Sequence, residues 1–413
     1  MSTLAAPSVN PGYLKLELSV AGVRLDDALR AQADVARAAG SEWANGIELV
    51  LPEDVWVSAP IAAAGDDAAS PFVLSGTGEH CTLRRNGSQI DVRLITPPSF
   101  YGRTASSGTP MGRIGTVYGS FIAINPAGAC SFSLRGAPCR FCRSGTGVPS
   151  DARFPMPVQD VVEVVRAAFA EGAAEFVYFN PSYVGSEDAG IAMLEPYIKA
   201  VKKHFDTLIA VQMHPPKTNG WIDRTYAMGV DALSYGVEIH DPEVLARRCA
   251  GRVRYIGRER YYEALAHAAS VFPSGTVWSD LIVGLESAAS TLQGIDVLVQ
   301  ARVLPVLSLF RSSDANPARE PSVPDWDTLQ PIFAHLFRAV RQAKINMGWV
   351  RDLSFAITPL EARFFAGDDA RGSVPMRQFY RSRLGTLAVR SLSRLRRRLR
   401  VRRVSDSFDA SRL

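Results

Sequence analysis

The chain has 413 residues, of which 47% are apolar and 21% charged, a composition typical of soluble globular proteins rather than disordered or fibrous ones. No apolar run reaches the roughly 18 to 20 residues that span a bilayer. The N-terminus lacks a basic start and a continuous apolar segment, so we expect no secretory signal. The net charge of +5 includes ten arginines between Arg381 and Arg403 and no acid among them, which leaves the remainder at about −5. Five cysteines without a disulfide-like spread indicate a cytoplasmic protein.

The first part of the chain has a composition of its own, with short apolar stretches broken by Gly, Pro and Asp. Alternating patterns predict strands at 13–20 and 47–51, and helical spacing predicts a helix near 25–39. A linker at 100–110 is rich in Gly, Ser and Thr. The predicted domains are an accessory α+β domain at 1–110, a βα barrel at 111–365 and a C-terminal extension with an Arg-rich helix at 366–413.

From residue 117 onward, short apolar runs alternate with segments of helical periodicity, which predicts parallel βα units. The predicted strands are 117–124, 175–179, 207–212, 232–238, 276–283 and 304–310. The predicted helices are 157–171, 188–204, 219–229, 258–271, 287–301 and 326–345. Crossovers of this length join parallel neighbours with a right-handed winding. The predicted fold class is therefore α/β, a partial (βα)6 TIM-like barrel.

Polar residues follow five of the six predicted strands. After the first strand comes a cysteine-rich loop, and the later strands are followed by Asn180 and Ser182, by Gln212 and His214, by Glu238 and His240, and by Arg311. Taken singly, each of these is most simply a residue that caps a loop. Because the chemistry of βα barrels lies at the carboxyl ends of the strands, we expect the set to face one cavity.

The cysteine-rich loop contains Cys130, Cys139 and Cys142. Soft thiolate ligands select an iron-sulfur cluster or zinc. Three thiolates leave one iron of a [4Fe-4S] cluster open, whereas a structural zinc site is closed by four ligands. The remaining thiols, Cys81 and Cys249, lie in other predicted segments, so a four-cysteine zinc site requires one of them to converge on the loop. A zinc-stabilised barrel enzyme or binding protein is the alternative, and a thiol-redox role of the Cys-x2-Cys pair is a third interpretation.

The three-cysteine loop after the first barrel strand, with Phe141 directly before the third cysteine, resembles the cluster motif of the radical S-adenosylmethionine (radical SAM) enzymes. The usual spacing is Cys-x3-Cys-x2-Cys, whereas eight residues separate the first two cysteines here, so the chain resembles a non-standard Cys-x8-Cys-x2-Cys member. The resemblance covers about 115–312. It implies a [4Fe-4S] cluster on Cys130, Cys139 and Cys142 that cleaves S-adenosylmethionine reductively and starts radical chemistry.

The resemblance also implies contacts with S-adenosylmethionine. The segment 279–286 resembles the fifth-strand motif that lines the adenine pocket, through Ser279, Ile282 and Gly284, although Asp280 stands where a glycine is common. Glu238 matches the position that often holds the ribose, since a carboxylate accepts two hydrogen bonds from a diol. The simpler interpretation of Glu238 is an ion pair with an arginine.

Other cofactor contacts implied by the resemblance are less regular. Phe141 would pack near the adenine. Asn180 and Ser182 stand where the family often has Gly-Gly-Glu to hold the methionine amino group, and their oxygens would accept instead. Gln212 completes the predicted cofactor-binding set.

The sequence contains no Asp-x-His-x2-Gly motif before the barrel and no second cysteine cluster. These absences argue against cobalamin-dependent methyl transfer and against members with auxiliary clusters, which leaves a single-cluster enzyme acting on a small molecule. Arg103, Arg248 and Arg311 are candidates to bind a carboxylate of the substrate. The resemblance implies an electron donor such as flavodoxin or ferredoxin. No catalytic residue is predicted.

Residues 381–404 place leucines on one helical stripe and arginines on the other face. Such a basic helix can lie on an anionic membrane surface or dock an acidic partner. Nucleic acid is a less favoured partner because the rest of the chain is acidic on balance. The alternative is a solvated basic tail.

Overall fold

The computed structural model describes residues 10–38, 46–62, 70–77, 79–142, 154–310, 325–350 and 353–367. Its first helices and strands, in chain order, are α1 (Pro11–Ala21), β1 (Arg24–Leu25), α2 (Asp27–Ala38), β2 (Gly46–Leu51), β3 (Val55–Pro60), β4 (Phe72–Thr77), β5 (His80–Arg85) and β6 (Ser88–Ile95). These strands form a six-stranded sheet in the order β1-β4-β5-β6-β2-β3. All of its neighbours are antiparallel except β1 and β4. The helix expected near 25–39 and the strand expected at 47–51 are confirmed.

The strand predicted at 13–20 is wrong, because this segment is helix α1. The side chain of Asn10 accepts hydrogen bonds from the backbone N–H groups of Gly12 and Tyr13, and Pro11 occupies the first turn. Alternation suggested that Lys15 faces water, but Lys15 is fully buried in an ion pair with Glu361. Local signals at the helix start therefore decide the structure here.

The remaining elements, in chain order, are α3 (Met111–Ile114), β7 (Thr116–Tyr118), β8 (Phe121–Ile124), α4 (Ser131–Leu134), α5 (Val158–Ala170), β9 (Phe176–Phe179), α6 (Ile191–His204), β10 (Ile209–Met213), α7 (Asn219–Ala227), β11 (Ala232–Tyr235), α8 (Pro242–Arg248), α9 (Ala250–Tyr255), α10 (Arg258–Val271), β12 (Val277–Val283), α11 (Ala288–Gln300), β13 (Leu304–Leu309), α12 (Trp326–Gln342) and α13 (Pro359–Ala362). Short 3-10 helices occur at Pro52–Asp54, Ser99–Gly102, Gly348–Val350 and Arg363–Phe365.

The second sheet has seven strands in the order β13-β12-β11-β10-β9-β8-β7. Strands β8 to β13 are parallel to one another and alternate with helices, which confirms the six-stranded partial barrel. All six helices predicted for the barrel are confirmed as α5, α6, α7, α10, α11 and α12. The first predicted strand, 117–124, is instead a hairpin of β7 and β8 that turns at Gly119, whose φ of +57° suits glycine.

The segment after α12 returns to the first sheet. Ser58 of β3 donates its backbone N–H to Ser354 O over 2.9 Å, and Asn10 Nδ2 donates to Phe364 O over 2.8 Å. One continuous apolar cluster includes residues of both sheets. The predicted domain boundaries stay predictions. Arg311 and the predicted Arg-rich helix lie outside the described residues. Within those residues, every helix is too short or too polar to cross a bilayer.

Candidate metal and cofactor site

The cysteine loop begins at the carboxyl end of β8, as predicted, and is held over the end of β9. Cys130 directly precedes α4, whose Phe132 ring stacks on the ring of Tyr183 with centroids 3.9 Å apart. The backbone N–H of Ser131 donates to Tyr183 O over 2.8 Å. Cys130 and Cys139 both belong to the small apolar cluster around Phe132. The eight residues between them thus form a short helix and turn that pack on the barrel.

Cys249 converges on the cysteine loop, which the sequence offers no reason to expect. Its buried thiol, between α8 and α9, is hydrogen-bonded to the Cys139 thiol. Next to this pair, the backbone N–H of Arg140 donates to Arg248 O over 2.9 Å. A Cβ on Gly251 would lie 2.4 Å from Ala137 O, so only glycine allows this close approach. Four of the five cysteines therefore lie in this region, while the fifth is on β5 of the other sheet.

The paired thiols have unequal acidity. The hydrogen bond from Cys249 and the charge of buried Arg252 lower the pKa of Cys139 to about 7, although burial opposes this effect. The same hydrogen bond and burial raise the pKa of Cys249. Cys139 is therefore the more acidic thiol of the pair, and the thiolate is the form that binds a metal.

The donor set suits a thiolate-bound metal or cluster, since three cysteines share one loop and a guanidinium lies near one of them. Cys130 is half-buried and Cys142 is exposed at the end of the described part of the loop. No three His, Cys, Asp or Glu side chains within the described residues are already arranged to hold a metal ion.

Glu238 follows the end of β11 and takes a left-handed backbone conformation, with φ of +63°. Its Oε2 accepts from Arg252 Nη2 over 2.7 Å, and Arg252 Nη1 donates to Gly236 O over 2.7 Å. The ion pair that was the simpler interpretation of Glu238 is confirmed. Arg252 lies on α9, a helix that the strand and helix pattern missed, and its guanidinium reaches both the carboxylate and the thiol pair.

Gln212 joins the ends of three strands. Its Oε1 accepts from Tyr178 Oη and, over 3.4 Å, from Asn180 Nδ2, while its Nε2 donates to Asp280 Oδ2. Burial and the nearby negative charge of Glu238 raise the pKa of Asp280 to about 7. Asp280, the departure from the family motif, is thus part of a polar network with Gln212 and Glu238.

Other predicted residues serve the scaffold. Ser182 Oγ accepts from Asn125 Nδ2 over 3.1 Å, and Asn125 was missed by the sequence interpretation. Ser279 Oγ donates to Tyr235 O and accepts from Val237 N, so its hydroxyl is used within the sheet. Phe141 and Ile282 pack against the small apolar cluster. Gly284 follows β12 with φ of +97°.

The two histidines predicted at strand ends, His214 and His240, both contact tyrosines. His214 Nδ1 lies 2.7 Å from Tyr261 Oη, and burial holds the pKa of this imidazole well below its usual range, so it is neutral. His240 Nδ1 lies 2.7 Å from Tyr262 Oη.

Among the arginines predicted to bind a substrate carboxylate, half-buried Arg248 adjoins the thiol pair. Arg103 is exposed on a segment that is bonded to α5 through Ser99 and Ser106, away from the strand ends.

No protein-family model matches the chain, and no curated protein is similar to it in sequence. Several solved structures are similar to part of this chain. One is SuiB of Streptococcus suis, with 10% sequence identity and a TM-score of 0.42 over 56% of this chain and 48% of that protein. SuiB has also been solved bound to S-adenosylmethionine, with the same identity and TM-score. Methylornithine synthase (PylB) has 12% identity and a TM-score of 0.43 over 58% of this chain and 65% of that protein. The FeFe-hydrogenase maturase HydG of Carboxydothermus hydrogenoformans has 15% identity and a TM-score of 0.43 over 55% and 52%. The chain thus spans about half to two thirds of the length of these proteins, and no function follows from similarities of this strength.

Proposed function

We propose that this chain is a radical SAM enzyme in which Cys130, Cys139 and Cys142 hold a [4Fe-4S] cluster. The observation that carries the proposal is the position of the cysteine loop, which leaves the first parallel strand at the carboxyl edge of the barrel. Such edges are where βα barrels perform chemistry. A cluster held by three thiolates supplies the electron that cleaves S-adenosylmethionine and so starts radical chemistry on a small-molecule substrate.

The side chains around the loop have roles that follow from their contacts. Arg252 keeps positive charge beside Cys139 and thereby favours its thiolate form. The apolar rings of Phe132 and Tyr183 cover the loop and limit the access of water. Because Arg252 donates to Oε2 of Glu238, a ribose diol would share this carboxylate with the guanidinium.

The proposed contacts with S-adenosylmethionine come from the ends of four strands and from the loop. Asn180 and Gln212 present amide groups beside each other at the ends of β9 and β10. Ser182 and Ser279 use their hydroxyls within the protein and Ser279 is fully buried, so we propose that these two residues position the neighbouring contact residues. Phe141, Ile282 and Gly284 would form the apolar wall for the adenine. A flavodoxin-like or ferredoxin-like electron donor is part of the same proposal.

Anaerobic reconstitution with iron and sulfide tests the proposal. We expect about four irons per chain, the number in one [4Fe-4S] cluster, and 5′-deoxyadenosine after addition of dithionite and S-adenosylmethionine. Serine at Cys130, Cys139 or Cys142 should abolish both signals. Cys81→Ser, which removes a thiol from β5 of the other sheet, is the matched control and should keep both. Failure of the wild-type chain to bind iron would refute the proposal.

The contact between Cys139 and Cys249 favours one second candidate, a zinc-stabilised barrel enzyme or binding protein without radical chemistry. A fourth thiol beside the loop can close a tetrahedral four-cysteine site. Metal analysis of anaerobically purified protein separates the candidates, since this one requires stoichiometric zinc that is lost in Cys249→Ser. The cluster proposal expects iron, and expects Cys249→Ser to retain it.

A further inference from the structure

A cavity lies at the opposite end of the barrel from the cysteine loop. It has a volume of about 700 Å³, within the range typical of small-molecule sites. Its barrel wall includes the turn at Gly119 and Ser120, which precedes β8, and residues 173–175, which precede β9. The other wall belongs to strands β2, β3 and β6 of the first sheet. The cavity is therefore built between the two sheets, at the amino ends of the barrel strands.

A buried carboxylate lines this cavity. Glu48 of β2 is only 3% exposed. Its Oε2 accepts from the backbone N–H of Gly119 over 3.3 Å, across the junction of the sheets. Burial raises the pKa of Glu48, and hydrogen bonds from the Ser354 and Ser58 hydroxyls and the positive charge of Lys15 oppose this effect. Even so, Oε1 is buried and has no partner with hydrogen-bond geometry among the described residues. Leaving such an atom unpaired is costly, so a further donor to Oε1 would stabilise the buried carboxylate.

Two further residues that line the cavity also have a buried polar atom without a hydrogen-bond partner. The indole Nε1 of Trp56 and the hydroxyl of Ser120 are both buried, and the described part of the chain offers neither a hydrogen-bond partner. The guanidinium of Arg93 lies 5.6 Å from the centre of the Trp56 ring. Three residues that line the cavity, on two strands and one turn, thus each carry a buried polar atom without a hydrogen-bond partner.

The charge of the walls indicates the kind of ligand. Besides Glu48, the cavity is lined by Glu79, Glu171 and Glu175, against the single cation Arg93. Apolar side chains such as Val117, Pro97 and Ala174 line the rest. Negative walls and a buried carboxylate oxygen without a partner favour a positively charged donor, and the apolar lining favours a carbon body behind it.

We propose that this inter-sheet cavity binds a small organic cation, an amine or amidine with an apolar body, whose charged N–H group donates to Oε1 of Glu48. The site is separate from the proposed cluster and does not depend on it. Trp56 and Ser120 supply the remaining polar contacts.

Three probes of the same shape and different charge test the proposal on the full-length protein. Benzamidine is a cation, benzamide is neutral and benzoate is an anion, so isothermal titration calorimetry with the three isolates the effect of charge. We expect benzamidine to bind best. Glu48→Gln keeps the shape of the side chain and should weaken benzamidine binding by about tenfold or more, the usual cost of losing a charge-assisted hydrogen bond.

Two more variants locate the binding and control for charge. Ser120→Phe fills the cavity and should abolish binding, which keeps the test decisive even if Glu48→Gln fails to fold. Glu259→Gln removes one exposed carboxylate on α10 and should leave binding unchanged. The proposal is overturned if benzamidine does not bind, if the three probes bind equally well, or if Ser120→Phe binds benzamidine like the wild type. An absence of benzamidine binding would mean that the cavity holds only water.

Discussion

Arg252 Nη2 lies 2.7 Å from Glu238 Oε2, and the same guanidinium donates to Gly236 O over 2.7 Å. The side chain of Arg252 is only 7% exposed and that of Glu238 19% exposed. This pair joins helix α9, which carries the segment next to Cys249, to the end of β11. It therefore links the predicted ribose-binding position to the cysteine loop.

Arg252→Met should destabilise the protein, because it leaves the Glu238 carboxylate without its partner in a largely buried position. We expect a loss of about 3 kcal/mol in the free energy of unfolding, measured by urea denaturation. Lys217→Met breaks an exposed ion pair with Glu187 and should change the free energy of unfolding by no more than about 0.5 kcal/mol. The double variant Arg252→Met/Glu238→Gln should recover part of the loss. Equal effects of Arg252→Met and Lys217→Met would contradict the role given to this pair.

Asp280 should make stability depend on pH. Its pKa is about 7 in the folded chain and near the ordinary value for an aspartate when unfolded. Between these two values the folded state holds a proton that the unfolded state has lost, so the free energy of unfolding falls as pH rises from about 4 to about 7. The contribution of one proton is at most about 1.4 kcal/mol per pH unit.

The measurement is the difference between wild type and Asp280→Asn in urea denaturation across that pH range. Taking the difference removes the contributions of other titrating groups. The stability of the wild type relative to the variant should decline toward neutral pH. A constant or opposite difference would show that Asp280 is ionised throughout the range.

Gly251→Ala should disrupt the close packing of the cysteine loop against helix α9. The added Cβ would lie 2.4 Å from Ala137 O and 2.9 Å from the Phe132 ring. We expect a loss of about 1 to 3 kcal/mol in the free energy of unfolding, as for other overpacked sites, and a smaller iron content after reconstitution. Gly220→Ala on α7 meets no atom within 4 Å and is the matched control. If both variants retain the same iron and the same Tm, the close packing of loop and helix is unimportant.

Lys15 and Glu361 form a buried ion pair between α1 and α13 over 2.9 Å, with side-chain exposures of 1% and 5%. Lys15 Nζ also donates to Leu353 O over 2.7 Å. Lys15→Met should cost about 3 kcal/mol or more in the free energy of unfolding, because it leaves a buried carboxylate unpaired. Adding Glu361→Gln should restore part of that energy, as measured by thermal or urea unfolding. A single variant as stable as the wild type would contradict this account.

The amino-acid pattern was sufficient for the barrel because its signals are local. Apolar runs and helical periodicity occur within single segments, so five of the six parallel strands and six of the barrel helices could be predicted from neighbouring residues, whereas the first predicted strand is a hairpin and helices α8 and α9 were missed. The same reasoning failed at 13–20, where Lys15 fits an alternating pattern only if its burial with Glu361 is ignored. The cysteine loop was also predictable, since its three thiols and the strand before it are contiguous in the chain.

The surroundings of that loop depend on tertiary structure. Cys249, between α8 and α9, and Arg252, on α9, lie more than a hundred residues after Cys139, and only the winding of the barrel brings them beside it. The cavity around Glu48 likewise requires two sheets from distant parts of the chain. The spacing of residues within single segments thus predicted the strands, the helices and the position of the cysteine loop. The packing of distant segments decided which thiols and carboxylates meet, because burial and pairing are properties of the folded chain.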